Sequence, residues 1–457
     1  MRLQIQNKPL AAPLRIGAIG LLYLIWSNNA FAAETTPNTY VPPSGPILTI
    51  KEVLESLKKT SYRWKQIDEA IPEAEAKASQ AKAALLPHFS FGMREIVGRV
   101  NLLQYGITEL NGLDYFSFGA TVLQMSYSLF DLSSSSRVDA ANQYSKSAQY
   151  NTESNQNEFT FYLLSQYTLT QKWQSLIKNR SKAVENIENL KQLAEEKVRS
   201  EVGIDLDVKR AQTRLAMARV KFLDSVGNFE KAKRDLAGLL GVEAINRPVE
   251  DIEKMIPLAF DPEKLAPQDV LESRPDRKAN HLLAESAQNM VKSEERLRWP
   301  RVDFIGEFGI AGTTIFDGGS NGLVGTAGIF LTMPLYTGGF ISAKESEARA
   351  NESKATLQND QLAIDIQNQF QGSVYQYSLA RKALEVSQQG AELASDELKL
   401  TKRRFQLGIG GNFDIITSQA SFSQAQDDLT EAWFNYRLAT LQILKVSNKL
   451  QSFLEAQ

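Results

Sequence analysis

The sequence RRFQLGIGGNFDIITSQ, residues 403–419, joins two segments that both have the composition of long helices. Gly408, Gly410 and Gly411 stand close together in it. A glycine cluster before a helix either cradles a phosphate with its backbone amides or lets the chain reverse its direction. These two functions predict different proteins, and the segments on either side of the cluster decide between them.

The helices predicted around this stretch are too long for a compact domain. Residues 133–199 contain neither proline nor glycine, and residues 341–406 contain no proline. At 1.5 Å per residue, each segment is a rod about 100 Å long. Apolar residues recur in the first rod at intervals of three and four, interrupted by Gln166 and Arg180. This pattern predicts helices that pack side by side in a wall and keep one face in water.

Four strands are predicted, at about residues 87–101, 114–131, 300–315 and 322–336. In the third, Phe304 and Phe308 alternate with Asp303 and Glu307. In the second, the apolar phase switches near Val122, which predicts a bulge or a change of environment. Each run is long enough for a tilted membrane crossing of about ten residues. Four such strands cannot close a barrel, because the smallest use about eight, so membrane-spanning strands require an oligomer.

The chain repeats its own organisation, which predicts an internal duplication. DVKRAQTRLAMA from Asp207 aligns with DIITSQASFSQA from Asp414. Basic residues, an apolar run at 16–26 and the small-residue pattern at 30–32 indicate a secretory signal peptide. The predicted organisation is a signal peptide at 1–32, an extended segment at 33–46, repeat 1 at 47–242, a connector at 243–265, repeat 2 at 266–450 and a tail at 451–457. Repeat 1 has a helix at 49–86, its two strands, a long helix at 133–200 and a helix at 206–241. Repeat 2 has a helix from about residue 268 to 300, its two strands, a long helix at 339–406 and a helix at 412–448.

Composition argues against several classes of function. The formal net charge is −2, so no basic excess attracts nucleic acid. The chain has no cysteine, which removes thiolate metal sites, disulfides and cysteine nucleophiles. His88 and His281 are the only histidines and lie far apart in the sequence. We therefore expect no cofactor, no metal site and no enzymatic activity.

Taken together, these motifs resemble those of the TolC family of outer-membrane channel proteins. The resemblance covers nearly the whole chain after the predicted signal peptide. It rests on the duplication and on the order of LTIKEVLESL (48–57), SRPDRKA (273–279), PLYTGGF (334–340) and RFQLGIGGNFDIITSQ (404–419). It implies a mixed α/β membrane protein in the outer membrane. Such a protein is a homotrimer in which four strands per chain form a twelve-stranded barrel, continued by a long helical tunnel in the periplasm.

The resemblance also implies sites at the tunnel's periplasmic tip. The turn elements that engage an adaptor in the family match Val202, Gly203 and Ile204 in repeat 1, and Leu407, Gly408 and Ile409 in repeat 2. An acidic ring at the entrance matches Asp414, with Asp207 at the equivalent place in repeat 1. Asp207 is explained equally well as a favourable charge at a helix N-terminus. Thr417 stands where relatives have a second acid, and Gly410 where they have an arginine, which predicts weaker closure.

The function implied by the resemblance is the exit duct of a tripartite efflux pump or a type I secretion system. Its expected partners are a periplasmic adaptor (membrane fusion) protein, an inner-membrane transporter of the RND, ABC or MFS type, and outer-membrane lipid. The glycine cluster is then a chain reversal at the periplasmic mouth, and no phosphate is needed. The alternative is a secreted coiled-coil structural or adhesive protein whose strands cap a helical stalk.

Overall fold

The computed structural model describes residues 40, 42–101, 113–201, 203–253, 258, 260–312, 321–407, 409 and 411–455. The chain divides into two units, Met1–Val41 and Pro42–Gln457, and the fold described below belongs to the second. The predicted signal peptide lies outside the described residues. Among the helices described, none is both long enough and apolar enough to cross a membrane.

The first half of the fold contains five helices and two strands among the described residues. In chain order these are α1 (Ile50–Thr60), α2 (Tyr62–Asp68), α3 (Ala70–Ala83), β1 (His88–Asn101), β2 (Leu113–Phe130), α4 (Leu132–Arg199) and α5 (Asp205–Leu240). Asp131 is the single residue between β2 and α4. Its carboxylate accepts a hydrogen bond from the Ser134 amide at 2.9 Å and so caps the 68-residue helix.

The prediction of one continuous helix over residues 49–86 is wrong. Ser61 has extended backbone angles, and its hydroxyl accepts a hydrogen bond from the Trp64 amide, so it starts a new helix. The second break is at Glu69, three residues before Pro72. Proline has no amide hydrogen to donate to the preceding turn, so Pro72 fits only in the first turn of α3.

The second half contains α6 (Pro267–Ser273), α7 (Pro275–Glu295), β3 (Arg301–Gly312), β4 (Asn321–Thr332), α8 (Phe340–Gln406), α9 (Asn412–Val446) and α10 (Leu450–Glu455). The predicted helix from about residue 268 to 300 is therefore also divided. Arg274 is extended because it precedes Pro275. Between β4 and α8 lies a longer link, in which Gly338 and Gly339 have φ values of 62° and 86°.

The strands form one antiparallel sheet in the order β1-β2-β3-β4. Its rows alternate in chemistry. One row aligns Phe91, Leu123 and Phe308, which are exposed. The next row toward the start of β1 is polar and aligns Ser90, Gln124, Glu307 and Thr326. One face of the sheet is therefore apolar and exposed, and the other carries polar side chains.

The register corrects the prediction for β2. No shift occurs at Val122, and the irregularity in the β2–β3 pairing lies between Ser128 and Phe130. The change of apolar phase near Val122 is therefore a change of environment. Gly309 shows how closely these strands approach, because a Cβ there would lie 2.0 Å from the carbonyl oxygen of Thr121.

The helices next to the sheet lie side by side in the same order as the strands that they adjoin in the chain. Here α4 packs against α3 on one side and α7 on the other, and α7 packs against α8. The Ser147 hydroxyl donates to the Ala279 carbonyl at 2.8 Å in the α4–α7 contact. Farther along, α4 packs between α5 and α9, and α9 packs against α8. The unit Pro42–Gln457 is thus a wall whose edges are β1, α3 and α5 on one side and β4 and α8 on the other.

One hydrophobic core lies midway along α4, where the connector crosses it. Leu48 forms an isolated parallel bridge with Val249. The Tyr167 hydroxyl donates to the Leu48 carbonyl at 2.6 Å and accepts from the Glu250 amide at 3.3 Å. The predicted connector is therefore bound to the helices rather than free. Apolar side chains of α1, α4 and α5 close this core.

Candidate functional site

The first turn at the tip joins α4 to α5 between Arg199 and Asp205. The Gly203 amide donates to the Lys197 carbonyl at 3.0 Å. A Cβ on Gly203 would lie 2.9 Å from the Val198 nitrogen, so the turn needs a glycine. Glu201 has a φ of 61°, which completes the sharp reversal. The predicted adaptor residue Val202 lies outside the described residues.

The second turn joins α8 to α9 between Gln406 and Asn412. The Leu407 amide donates to the Arg403 carbonyl at 3.1 Å, and the Ile409 amide donates to the Arg404 carbonyl at 3.0 Å. These bonds close the end of α8. Gly408 and Gly410 lie outside the described residues. The described part of the stretch is a reversal between two helices.

The acidic candidates both stand in the first turn of a helix. The Asp414 carboxylate accepts a hydrogen bond from the Gly411 amide at 3.3 Å, and the residue is exposed. Asp207 lies 3.6 Å from Arg210. Thr417 is exposed, one helical turn beyond Asp414. A negative charge is favourable at each of these helix N-termini, so both acids have a structural role at the tip as well as any role toward cargo.

Contacts between the two hairpins bring these acids to the same end of the fold. The Arg210 guanidinium lies 4.9 Å from the centre of the Phe413 ring, which joins the start of α5 to the start of α9. The Lys197 ammonium lies 3.6 Å from the centre of the Phe405 ring, which joins the end of α4 to the end of α8. Leu190, Ala211, Ile415 and Ile416 form the apolar core beneath them. The four long helices therefore end together.

Two segments of the chain, 66–242 and 266–448, match the model of a family described as outer membrane efflux protein. The chain belongs to the outer membrane efflux protein family. The matched segments contain the four long helices, all four strands and both tip turns. This confirms the resemblance to TolC-family channels, the outer-membrane location and the expectation that the protein is not an enzyme.

Solved structures share the fold of this efflux-family chain. The outer-membrane channel OprN matches with a TM-score of 0.77 and 18% identity, covering 88% of this chain and 90% of that one. The CmeC outer-membrane channel of Campylobacter jejuni matches with a TM-score of 0.77 and 15% identity, covering 88% and 86%. The outer-membrane protein VceC of Vibrio cholerae has a TM-score of 0.72 and 16% identity, covering 87% and 95%.

A curated relative is similar over a shorter stretch. Nodulation protein T of Rhizobium leguminosarum bv. trifolii is 25% identical over 234 residues, which are 50% of this chain and 49% of that protein. The match thus spans about half the length of the relative.

The tip of this efflux-family chain presents apolar side chains to solvent. Ile204, Leu206, Leu407, Ile409 and Phe413 are each more than half exposed. They flank the two turns on both sides. Large apolar groups concentrated at the end of a helical wall indicate a contact surface, because elsewhere at the tip such groups are packed between helices.

A charged contact lies farther from the tip. Arg180 interrupts the apolar stripe of α4, and the sequence pattern identifies no partner for it. Its guanidinium reaches Asp427 of α9 at 3.2 Å and Asp224 of α5 at 3.6 Å, and it donates to the Lys221 carbonyl at 2.8 Å. Burial raises the pKa of Asp427, although Arg180 opposes that shift. In the sequence, the interruption of the apolar stripe at Arg180 was the one signal that pointed to this contact.

Proposed function

We propose that three copies of this chain close into a trimer that forms a passive duct across the outer membrane. Each copy supplies four strands to a twelve-stranded barrel and four long helices to a periplasmic tunnel. The duct serves as the exit of a tripartite efflux pump or a type I secretion system. The observation that carries the proposal is the pair of open edges, one on each side of the wall at every level of the fold.

The edges differ from each other, which determines how copies associate. One side ends in β1, α3 and α5, and the other ends in β4 and α8. Head-to-tail contact between unlike edges generates a ring when the rotation closes. An open sheet edge cannot remain in lipid, because its backbone groups would have no hydrogen-bond partners. Ring closure supplies hydrogen-bond partners to the free edges of both β1 and β4.

The chemistry of the sheet fits a membrane barrel. The row of Phe91, Leu123 and Phe308 is exposed on the apolar face. In a ring this face contacts lipid. The opposite face, with Gln124 and Glu307, lines the lumen.

The tunnel edges carry matching apolar stripes. Along α8 and the residue that follows it, apolar side chains are exposed at seven-residue intervals, the spacing of a coiled-coil seam: Leu379, Val386, Leu393, Leu400 and Leu407. On α5, Leu206 and Val220 are exposed two heptads apart. Leu393 is also two heptads from Leu407. Because α8 descends to the tip and α5 rises from it, Leu393 of one copy faces Val220 of the next.

The two halves of the chain are proposed to be internal repeats. The long helices α4 and α8 have 68 and 67 residues, and the returning helices α5 and α9 have 36 and 35. Because the hairpin is duplicated, each subunit contributes two similar helical hairpins to the tunnel. A trimer then has a sixfold arrangement of hairpins, which a symmetric tube needs.

The sites at the tip follow from this arrangement. Asp414, repeated by symmetry, forms an acidic ring at the entrance, with Asp207 near it. Gly203, Ile204, Leu407 and Ile409 belong to a surface for a periplasmic adaptor, and Val202 and Gly408 complete the matched elements. Closure is weak because Thr417 and Gly410 replace an acid and an arginine. An inner-membrane transporter of the RND, ABC or MFS type supplies the energy.

Cysteine cross-linking tests this arrangement, because the chain has no cysteine of its own. Leu393→Cys combined with Val220→Cys should give an oxidation-dependent ladder that ends at a trimer in outer-membrane fractions. The matched control pairs Val386→Cys with Val220→Cys. One heptad is about 10 Å, beyond the Cα separation that a disulfide allows. A soluble monomer, or equal cross-linking by both pairs, would refute the proposed trimer. A soluble product would favour the stalk alternative.

A further inference from the structure

A groove lies between α8 and α9, where Phe161 of α4 approaches both helices. Its volume is about 660 Å³. Small-molecule sites in proteins have volumes of about 300–1,000 Å³. Gly372 of α8 forms part of the wall, and a Cβ at this position would meet no atom within 4 Å. The backbone of α8 is therefore open to a molecule that enters the groove.

The lining of the groove is polar but uncharged. Its apolar surface comes mainly from Phe161, Leu379 and Leu438. Its polar surface comes from four amide side chains, those of Gln369, Gln376, Asn435 and Gln442. Within the described part of the chain, these amides make no hydrogen bond to another protein group, and no residue that lines the groove is charged. Each amide therefore has both donors and an acceptor available for a ligand.

The charged groups beside the groove are paired. The Lys445 ammonium lies 4.9 Å from the centre of the Phe161 ring and 3.0 Å from the Glu158 carboxylate. Farther toward the tip, Lys172 lies 2.5 Å from Glu431. A charged ligand would lose water in the groove without meeting an unpaired opposite charge, which is unfavourable. An uncharged ligand does not have this cost.

The groove lies on the face of the wall opposite the connector. On α8, Phe370 and Tyr377 belong to an apolar cluster that includes Leu258 of the connector. On α4, Leu163 belongs to the core where the connector crosses that helix. Phe161 precedes Leu163 by two residues, which is about 200° around a helix. The side chains that line the groove are therefore turned away from the connector.

In the proposed duct, this face of the wall lines the tunnel. Twelve helices spaced about 10 Å apart form a ring about 38 Å across between helix axes, which leaves about 28 Å inside. The connector, α1, α6 and α10 add a second layer to the other face. Three such layers, each about 10 Å thick, would fill most of that space. The second layer therefore belongs outside the tunnel, and the groove faces the cargo path.

We propose that this groove is a binding site on the cargo path for an uncharged small molecule with an apolar body and amide-type hydrogen-bonding groups. The inference rests on the proposed duct and adds a class of substrate to it. Each subunit contributes one groove, so the tunnel has three at the level of the connector. Free amides of Gln369, Gln376, Asn435 and Gln442 exchange hydrogen bonds with the molecule, while Phe161 and Leu379 contact its apolar body.

Saturation-transfer NMR on full-length trimers in detergent tests the chemistry of the groove. The probes are uncharged N-acetylphenylalaninamide, cationic phenylalaninamide and anionic N-acetylphenylalanine, which share one ring and differ in charge. After subtraction of the signal from protein-free micelles, we expect the uncharged probe to give at least about three times the signal of either charged probe, because only the charged probes would lose water without compensation.

Gly372→Leu should remove the advantage of the uncharged probe, because the new side chain fills the groove. Gly390→Leu is the matched control. Gly390 follows Gly372 by eighteen residues, about five helical turns, so it lies on the same face of α8. A Cβ at Gly390 would also meet no atom within 4 Å. This control should bind the uncharged probe as the native chain does, since it lies outside the groove.

A change of charge tests the same groove with a gain of binding. Gln376→Glu should weaken the signal of the uncharged probe and raise that of phenylalaninamide at least about threefold, because the new carboxylate attracts the cation. Gln358→Glu is the control, since Gln358 precedes Gln376 by eighteen residues on the same face of α8 and does not line the groove. It should leave the order of the three probes unchanged.

Cysteine modification tests on which side of the wall the groove lies, because the chain has no cysteine of its own. A positively charged methanethiosulfonate reagent should change the single-channel conductance of Gln376→Cys, where the label enters the tunnel. The control is Arg381→Cys, at an exposed residue one helical turn beyond Tyr377 on the connector side. Its conductance should not change on labelling.

The outcomes separate the groove from the duct. If trimers form but the three probes bind equally, or if Gly372→Leu binds as well as Gly390→Leu, the binding site is refuted and the duct stands. Equal responses of Gln376→Glu and Gln358→Glu would refute the site in the same way. A conductance change in Arg381→Cys alone would place the groove outside the cargo path. If no trimer forms, the duct and the cargo site both fail.

Discussion

Arg437 of α9 donates a hydrogen bond from Nη1 to Oε1 of Gln171 in α4 at 2.6 Å, and both side chains are almost fully buried. Burial lowers the pKa of Arg437 from its usual value. This contact joins the second hairpin to the first at the level where the connector crosses α4. It is polar where most neighbouring contacts are apolar.

The first prediction concerns this pair. Gln171→Leu removes the amide oxygen that Nη1 of Arg437 donates to and should destabilise the proposed trimer by about 3 kcal/mol. Gln171→Leu combined with Arg437→Leu removes both polar groups and should recover much of that loss. The measurement is the temperature at which the trimer dissociates in detergent. A double variant less stable than Gln171→Leu alone would contradict the prediction.

A second prediction uses alkaline pH. Burial raises the pKa of Tyr167 well above its ordinary value. The folded state therefore retains this proton where the unfolded state has lost it, so stability falls as pH rises above about 10. Tyr167→Phe should cost about 1–3 kcal/mol at neutral pH through the lost hydrogen bonds and should flatten the alkaline decline. Denaturant unfolding at pH 8 and pH 11 measures both effects, and exposed Tyr62→Phe should change neither.

Third, Gly309→Ala should prevent assembly. The new Cβ would lie 2.0 Å from the Thr121 carbonyl oxygen and 2.7 Å from the Val122 Cα, both backbone atoms that cannot move without breaking the β2–β3 pairing. Gly322→Ala on β4 is the control, since nothing lies within 4 Å of its Cβ. Heat-modifiable trimers in outer-membrane fractions should be lost for the first variant and kept for the second. Trimers at normal yield with Gly309→Ala would contradict the register.

Fourth, Asp414→Asn should reduce cation preference and cation block in single-channel recordings. The amide oxygen can still accept from the Gly411 amide, so the helix cap survives while the charge is lost. Asp396→Asn on α8, which removes a carboxylate paired with Lys399, is the control for net charge. Unchanged ion selectivity in Asp414→Asn would remove this residue from the proposed ring.

Fifth, Arg180→Ala should loosen the packing of α5 and α9 on α4. It removes contacts to Asp427 and Asp224 and leaves the half-buried Asp427 carboxylate with less compensation. We expect higher single-channel conductance and faster proteolysis near the tip. Lys178→Ala, at an exposed residue 3.9 Å from Asp251, is the control. Conductance equal to that of the native channel would mean that Arg180 contributes to the stability of the fold and not to the closure of the channel.

The elements that sequence predicts best are those with a strong repeating pattern. Residues 133–199 have no helix breaker, and α4 runs from Leu132 to Arg199. Alternation in the strands likewise matches β3, which runs from Arg301 to Gly312. Breaks at Ser61 and Glu69 escaped prediction, because a serine in a helical sequence becomes a cap only when local packing turns its backbone outward.

The candidate site was less accessible to sequence analysis. The positions of Asp414 and Asp207 came from a family resemblance, and their contacts with Gly411 and Arg210 depend on the turn geometry. Pairing of Lys197 with Phe405 joins residues on different hairpins. No local pattern specifies a contact between chain segments that far apart. Arg180 shows the same limit, because periodicity identifies an interruption but not its partner.

The two strand-to-helix junctions give the hairpins different stiffness. Only Asp131 separates β2 from α4. A rotation of α4 at the tip is therefore transmitted directly to the sheet. Between β4 and α8, Gly338 and Gly339 adopt positive φ values and act as a compliant coupling. We infer that in the proposed duct the second hairpin tilts while the membrane end stays still. A pump partner that pulls on the tip of α8 and α9 would then open the mouth of the proposed duct without deforming its barrel.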